Sequence, residues 1–183
     1  MSSLRERWPP QGLQQSSFHR YLTGIPLEHF RQPTSAVFLV IGRVFISTID
    51  IPRTLTVDRI IYGVGGASNG NVRLAIYGPI VPVLGAPPDL PDGSDLVVES
   101  ASVAQAAANV NQVVTIANTL LNRGLYAIGI QGDDVTGTIT RIFDSATNFP
   151  RHFNIGAYAA FPDPCPVTIA QASSPRFILR VVP

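Results

Sequence analysis

The sequence contains no lysine, one cysteine, one methionine and one tryptophan, and only 14% of its 183 residues are charged. Each shortage removes something. A lone cysteine, Cys165, allows no intrachain disulfide and no cysteine-based zinc site, so the fold has to rest on packing. All 13 cationic side chains are arginines, scattered singly apart from Arg5 and Arg7, and the formal net charge is +1. No basic stripe can therefore track a phosphate backbone, which argues against direct nucleic-acid binding and against a polybasic membrane anchor. No apolar run approaches the roughly 18 residues of a membrane span. The opening stretch MSSLRERWPPQGLQQSSFHRYL lacks the apolar centre of a signal peptide. The expectation is a chain made in the cytoplasm without cleavage and without a membrane partner.

What is present is apolar: 45% of the residues are hydrophobic, enough for one domain with a substantial core. Residues 1–35 read as an extended N-terminal arm. They hold Pro9, Pro10, Pro26 and Pro33 and keep no helical or strand period. Yet Trp8, Leu13, Phe18, Tyr21, Ile25 and Phe30 are too many large apolar residues for a solvated linker, and they are the candidate interaction residues of the chain.

Residues 36–183 change to short β-rich runs punctuated by glycine, proline and asparagine, the pattern of an all-β, single antiparallel β-sandwich of jelly-roll-like kind. Strands are expected near 36–46, 54–62, 71–77, 95–103, 111–117, 124–131, 138–143, 153–160 and 176–182. In the second of these, Leu55, Val57 and, after a local irregularity, Ile60 face inward. In the third, Val72, Leu74 and Ile76 face one way and Arg73, Ala75 and Tyr77 the other. The alanine-rich run Ser100–Val110 favours helix by intrinsic propensity, but its shortness and its β-rich neighbours assign it to strand and turn. The five prolines of Gly78–Ser94 place that connection outside the sheets, since proline cannot donate to a ladder.

Several short patterns resemble chemistry. Gly66-Ala67-Ser68-Asn69-Gly70 fits the G-x-S-x-G of a serine hydrolase, but that elbow needs a following helix and a downstream histidine and acid. A β-patterned run follows here, His152 is the only later histidine, and Asn69-Gly70 is a hairpin signal. Gly63, Gly65, Gly66 and Gly70 lack the lysine of a phosphate-binding loop. Asp89, Asp92 and Asp95, and the pair Asp133-Asp134, could offer oxygens to calcium, but no EF-hand spacing surrounds them and aspartate is an ordinary turn residue. His19, His29 and His152 share no metal-ligand spacing. Tyr62, Tyr77, Tyr126 and Tyr158 could stack on a sugar if they were exposed. From these residues no catalytic, cofactor or metal site is expected.

The order TLTVDRIIYGVGGASNGNVRLAIYG, then DLVVESASV, then NTLLNRGLYAIGIQGDD resembles the β-sandwich accessory proteins of tailed-bacteriophage virions: capsid decoration (cement) proteins and jelly-roll domains of tails and fibres. The likeness spans Arg53 to Asp134. It implies a non-enzymatic structural protein of the virion, assembled in the host cytoplasm as a homo-oligomer such as a trimer, with the major capsid or tail proteins as partners. Most directly it implies a capsid decoration protein whose sandwich self-associates and whose arm bridges neighbours. The alternative it implies is a glycan- or receptor-binding module on a tail or head fibre, with a host glycan as ligand.

Overall fold

A computed structural model of the chain describes residues 21–23, 36–81, 91–143, 151–170, 173–175 and 177–182. Among them there is no helix. The strands are β1 (Tyr21–Thr23), β2 (Ala36–Phe38), β3 (Arg43–Ile51), β4 (Leu55–Gly63), β5 (Asn71–Tyr77), β6 (Leu96–Glu99), β7 (Val103–Ala104), β8 (Asn111–Leu121), β9 (Gly124–Gly132), β10 (Thr138–Phe143), β11 (Arg151–Asn154), β12 (Ile169–Ala170), β13 (Ser173–Pro175) and β14 (Phe177–Val181).

Two antiparallel sheets pack face to face as a sandwich. Sheet I has the order β12-β11-β3-β9-β5-β6, with β7 also on β5; sheet II has the order β1-β14-β4-β8; a small ladder β13-β10-β2 joins them at one side. The chain crosses between sheets from β3 to β4, from β4 to β5, from β7 to β8 and from β8 to β9. Their facing side chains make the main core: Phe45, Ile49, Leu74, Ile76, Ile128 and Ile130 from sheet I against Leu55, Val57, Ile60, Val114, Ile116 and Leu179 from sheet II. This is the alternation expected of Leu55, Val57, Ile60, Val72, Leu74 and Ile76, each of them buried.

The irregularity expected in β4 extends across sheet II. Its register with β8 shifts between Val57 and Arg59, so that Ile116–Asn118 bulge opposite Asp58, and the register of β14 with β4 shifts between Arg180 and Val181. Both β4 and β8 change phase there: Val57 and Ile60 are both inward, as are Ile116 and Leu121. A bulge of this kind adds twist and re-aims the side chains beyond it.

Several strand boundaries differ from the sequence pattern: β3 runs on to Ile51, and the short strands β1, β12 and β13 lie outside the expected runs. The run 36–46 is broken by a turn in which Gly42 has φ +75° and Arg43 N–H bonds the Val40 carbonyl at 2.9 Å. Its first piece, β2, joins β10 rather than continuing into β3. The run 95–103 is interrupted at Ser100, whose hydroxyl accepts the Leu74 N–H at 3.0 Å. Strand β8 runs past its bulge to Leu121. Strand β11 stops at Asn154, and residues 155–168 leave the ladder as a strap over the outer face of sheet I.

That strap covers the second face of β5, the one opposite Val72, Leu74 and Ile76. Ala75 and Tyr77 join Val44, Ile46, Ala127, Phe153, Phe161 and Cys165 in a second core. Tyr77 meets Phe153 and Phe161 edge-on, each with ring centroids 6.3 Å apart, an arrangement worth about 1 kcal/mol per pair beyond area burial. Gly129 in β9 permits the close approach, since a Cβ there would lie 3.0 Å from Val44 and 3.3 Å from Phe161.

Candidate functional site

One end of the sandwich gathers the connection between β4 and β5, the connection between β9 and β10, and Gln105. Here lies Ser68. The connection is not a hairpin: β4 pairs with β8 and β14 while β5 pairs with β9, β6 and β7, so the glycine-rich stretch carries the chain from sheet II to sheet I. Asn69-Gly70 does turn the chain, with Gly70 at φ +72°. The loop is fastened by Thr138, whose hydroxyl bonds the Ala67 N–H and carbonyl at 2.9 Å each, and by Asn69, bonded to Gln105 at 3.1 Å and Thr136 at 2.9 Å. Ser68 is followed by strand β5, so the strand–turn–helix context of a nucleophile elbow is missing at this serine. His152 stands on β11 opposite Phe45. Burial, with the Arg43 charge adding to it, lowers its pKa below 6.5.

The acids at this end are used locally. Asp133 accepts the Asn71 main-chain N–H at 2.5 Å and the Asn71 side-chain amide at 2.7 Å. Asp134 accepts the Thr136 hydroxyl, the Thr136 N–H at 2.6 Å and the Gly137 N–H at 3.3 Å. Those donors, the Thr136 hydroxyl foremost, hold its carboxyl below the ordinary 3.8. At the opposite end Asp92 accepts both the N–H and the hydroxyl of Thr168, at 3.0 and 2.6 Å. Asp89 lies outside the described residues. Among the described residues no three of His, Cys, Asp and Glu are grouped so as to hold a metal ion.

Three of the four tyrosines that could have formed a sugar platform are packed inside. Tyr62, Tyr77 and Tyr126 are 2%, 0% and 2% exposed, and belong to the cores. Tyr62 donates to Gln112 Oε1 at 2.6 Å and Tyr77 to the Pro162 carbonyl at 2.9 Å, which is how buried phenols are satisfied. Tyr158 alone is half-buried at the surface, its hydroxyl 2.6 Å from that of Ser102 and its ring 5.8 Å from the Arg73 guanidinium carbon.

Of the candidate interaction residues, Trp8, Leu13, Phe18, Ile25 and Phe30 lie outside the described residues. Tyr21 lies within them. It begins β1, which pairs antiparallel with β14 in the register Tyr21–Arg180, Leu22–Leu179, Thr23–Ile178. The arm thus contributes an edge strand to sheet II. Three residues carry no readable period, so only the isolated apolar pair Tyr21-Leu22 hinted at it.

Cys165 anchors the strap. It is 2% exposed, its main chain bonds Gly93 and Ser94 at 2.8 Å each, and burial, aided by nearby Asp92, pushes its thiol up to about 12. A thiol so far from ionising is a packing group, not a nucleophile.

The described chain is thus an antiparallel β-sandwich with a strapped outer face and an N-terminal segment added to its edge. No protein-family profile matches the sequence, and no curated protein matches it. Among solved structures, a CocE/NonD family hydrolase from Staphylococcus aureus is similar over 89% of this chain and 36% of its own length, at 9% identity and a TM-score of 0.32. At that score the likeness carries no functional argument.

Proposed function

We propose that this chain is a non-enzymatic structural protein of a tailed-bacteriophage virion, a capsid decoration protein whose sandwich self-associates and whose arm reaches neighbouring subunits. The observation that carries the reading is the attachment of the arm. Backbone pairing of Tyr21–Thr23 with β14 tethers the preceding residues, Trp8, Leu13 and Phe18 among them, to an edge of the sandwich. An arm sequence rich in large apolar residues suits clamping onto a second surface, where burial of that area would stabilise the shell by linkage. In support, the stretches that resemble virion sandwiches fall largely on strands: VDRI in β4 across its irregularity, IYG at the end of β5 with Gly78 just beyond it, LVVES on β6 up to Glu99, and GLYAIGI in β9.

The test is removal of residues 1–20, which leaves β1 in place. The truncated chain is expected to keep its fold and to lose co-purification with virions, measured by quantitative mass spectrometry of purified particles. A copy number matching the capsid lattice supports decoration. Unchanged occupancy of the truncated chain, or absence of the full chain from particles, overturns it. The alternative, a glycan-binding module on a tail or head fibre with tyrosines and loop aspartates as contacts, loses three of its four tyrosines to the cores and keeps Tyr158 beside Arg73 and the aspartates.

A further inference from the structure

β8 closes one side of sheet II. It bonds to β4, and among the described residues no other strand pairs with it and none of its main-chain groups bonds elsewhere in the backbone. An open edge is a row of unpaired N–H and C=O groups, and monomeric proteins blunt such rows with charge, proline or a bulge. Asn111–Leu121, NQVVTIANTLL, has no charged residue and no proline. Among the described residues its one interruption is the bulge at Ile116–Asn118, which leaves Asn111–Thr115 in continuous register with β4.

The side chains give that edge a direction. Val113 is 49% exposed on the outer face of sheet II. It lies opposite Ile61 of β4, which lies opposite Ile178 of β14, both half-buried. Residues in register share a face, so the three form an apolar row that stops abruptly at the open edge.

We infer that β8 pairs with β8 of a second copy, antiparallel about a two-fold axis at Val113. Two-fold pairing makes every contact reciprocal. With the axis there, Val113 meets Val113 of the partner subunit, Asn111 meets Thr115 of the partner subunit, and Gln112 meets Val114 of the partner subunit. The row Ile178–Ile61–Val113 then continues into the same row of the other copy. Moving the axis to Gln112 or Val114 keeps the faces aligned but sets Val113 against asparagine or threonine. The self-match selects a second copy over an unrelated strand: the segment is uncharged, so a copy meets no like charge, and both usable runs end at the same bulge. The inference rests on the reading above only in taking the chain to self-associate.

The experiment uses the full chain. Sedimentation equilibrium is expected to show a monomer–dimer equilibrium that Val113→Lys shifts to monomer, because the axis would set two ammonium groups face to face, while circular dichroism and the melting temperature report an unchanged fold. Separately, Val113→Cys in a Cys165→Ala background is expected to give a disulfide-linked dimer on mild oxidation, and Leu120→Cys in the same background none. This second measurement keeps a small side chain at the axis and decides the matter if the lysine variant fails to fold. A chain that stays monomeric, a trimer, a dimer indifferent to Val113→Lys, or linkage through Leu120 in preference to Val113 overturns the inference. Particle occupancy is not read here, so a failed dimer and a failed virion role are told apart.

Discussion

The Asp58 carboxylate grips the Arg180 guanidinium with both oxygens: Nε donates to Oδ1 at 2.7 Å, and Nη2 donates to Oδ2. The pair lies where β4, β8 and β14 all shift register, so the fork spans the kink of sheet II and fixes which way the strands resume. Asp58 is 15% and Arg180 28% exposed at the side chain, which leaves the pair only partly screened. Asp58→Ala is expected to cost about 2 kcal/mol in denaturant unfolding, in the range of hydrogen bonds to charged groups. Arg180→Lys, which keeps the charge but loses the planar fork, should recover less than half of that loss. Full recovery by lysine would reduce the contact to simple charge pairing.

The strap makes a chemical prediction. Native Cys165, buried with its thiol raised to about 12, should resist alkylation by iodoacetamide at neutral pH and react once the chain is unfolded. Phe161→Ala should cost about 3 kcal/mol as a large-to-small core change and make the thiol reactive in the folded protein. Mass spectrometry of the alkylated chain checks both. A native thiol that reacts at once would place the strap off the sheet.

His152 gives stability a slope on the acid side. Its folded pKa lies below 6.5 because burial, and then the Arg43 charge, disfavours the imidazolium. As pH falls through 6.5 the unfolded chain takes up this proton before the folded one, so stability declines until the folded pKa is passed. Asp134 acts lower down: its depressed carboxyl adds stability above 3.8 that is lost as pH falls through its folded pKa. His152→Gln should flatten the melting temperature as pH falls below 6.5 and leave the carboxylate loss at lower pH intact. An unaltered slope would assign the effect to other groups.

Ser68 and Gly70, two residues apart in one motif, should behave oppositely. Gly70→Ala needs φ +72° and would bring its Cβ within 2.5 Å of the Asp134 Cβ, a combined cost of about 2 kcal/mol or more. Ser68→Ala, half-exposed and followed by a strand, should change stability by less than about 0.5 kcal/mol. Any background turnover of p-nitrophenyl esters should be the same with and without the serine hydroxyl. Loss of turnover with Ser68→Ala would restore the nucleophile.

Alternation made most of the sandwich readable. Leu55, Val57 and Ile60, with the break between them, predicted both the inward face and the irregularity of β4, because period two is imposed by the pleat itself. What period cannot show is which strands become neighbours. Asn69-Gly70 reads the same whether it closes a hairpin or carries the chain between sheets, since a local turn requires only a local φ. The pattern of β5 likewise gave two faces but not the strap. Tyr77 is buried because Phe153 and Phe161 arrive from far along the chain, and GAYAAFPDPCP carries no period that would announce it. The arm gave less still: of its six candidate residues only Tyr21 lies in a described strand.

The order β1-β14-β4 in sheet II places β14 between two elements made long before it. During synthesis, therefore, Tyr21–Thr23 and Leu55–Gly63 must wait unpaired on those edges until Val181 has cleared the ribosome. Closure of this sheet is a late event. Pairings so distant along the chain make for slow folding, and the waiting edges expose the nascent protein to association with its neighbours on the same message.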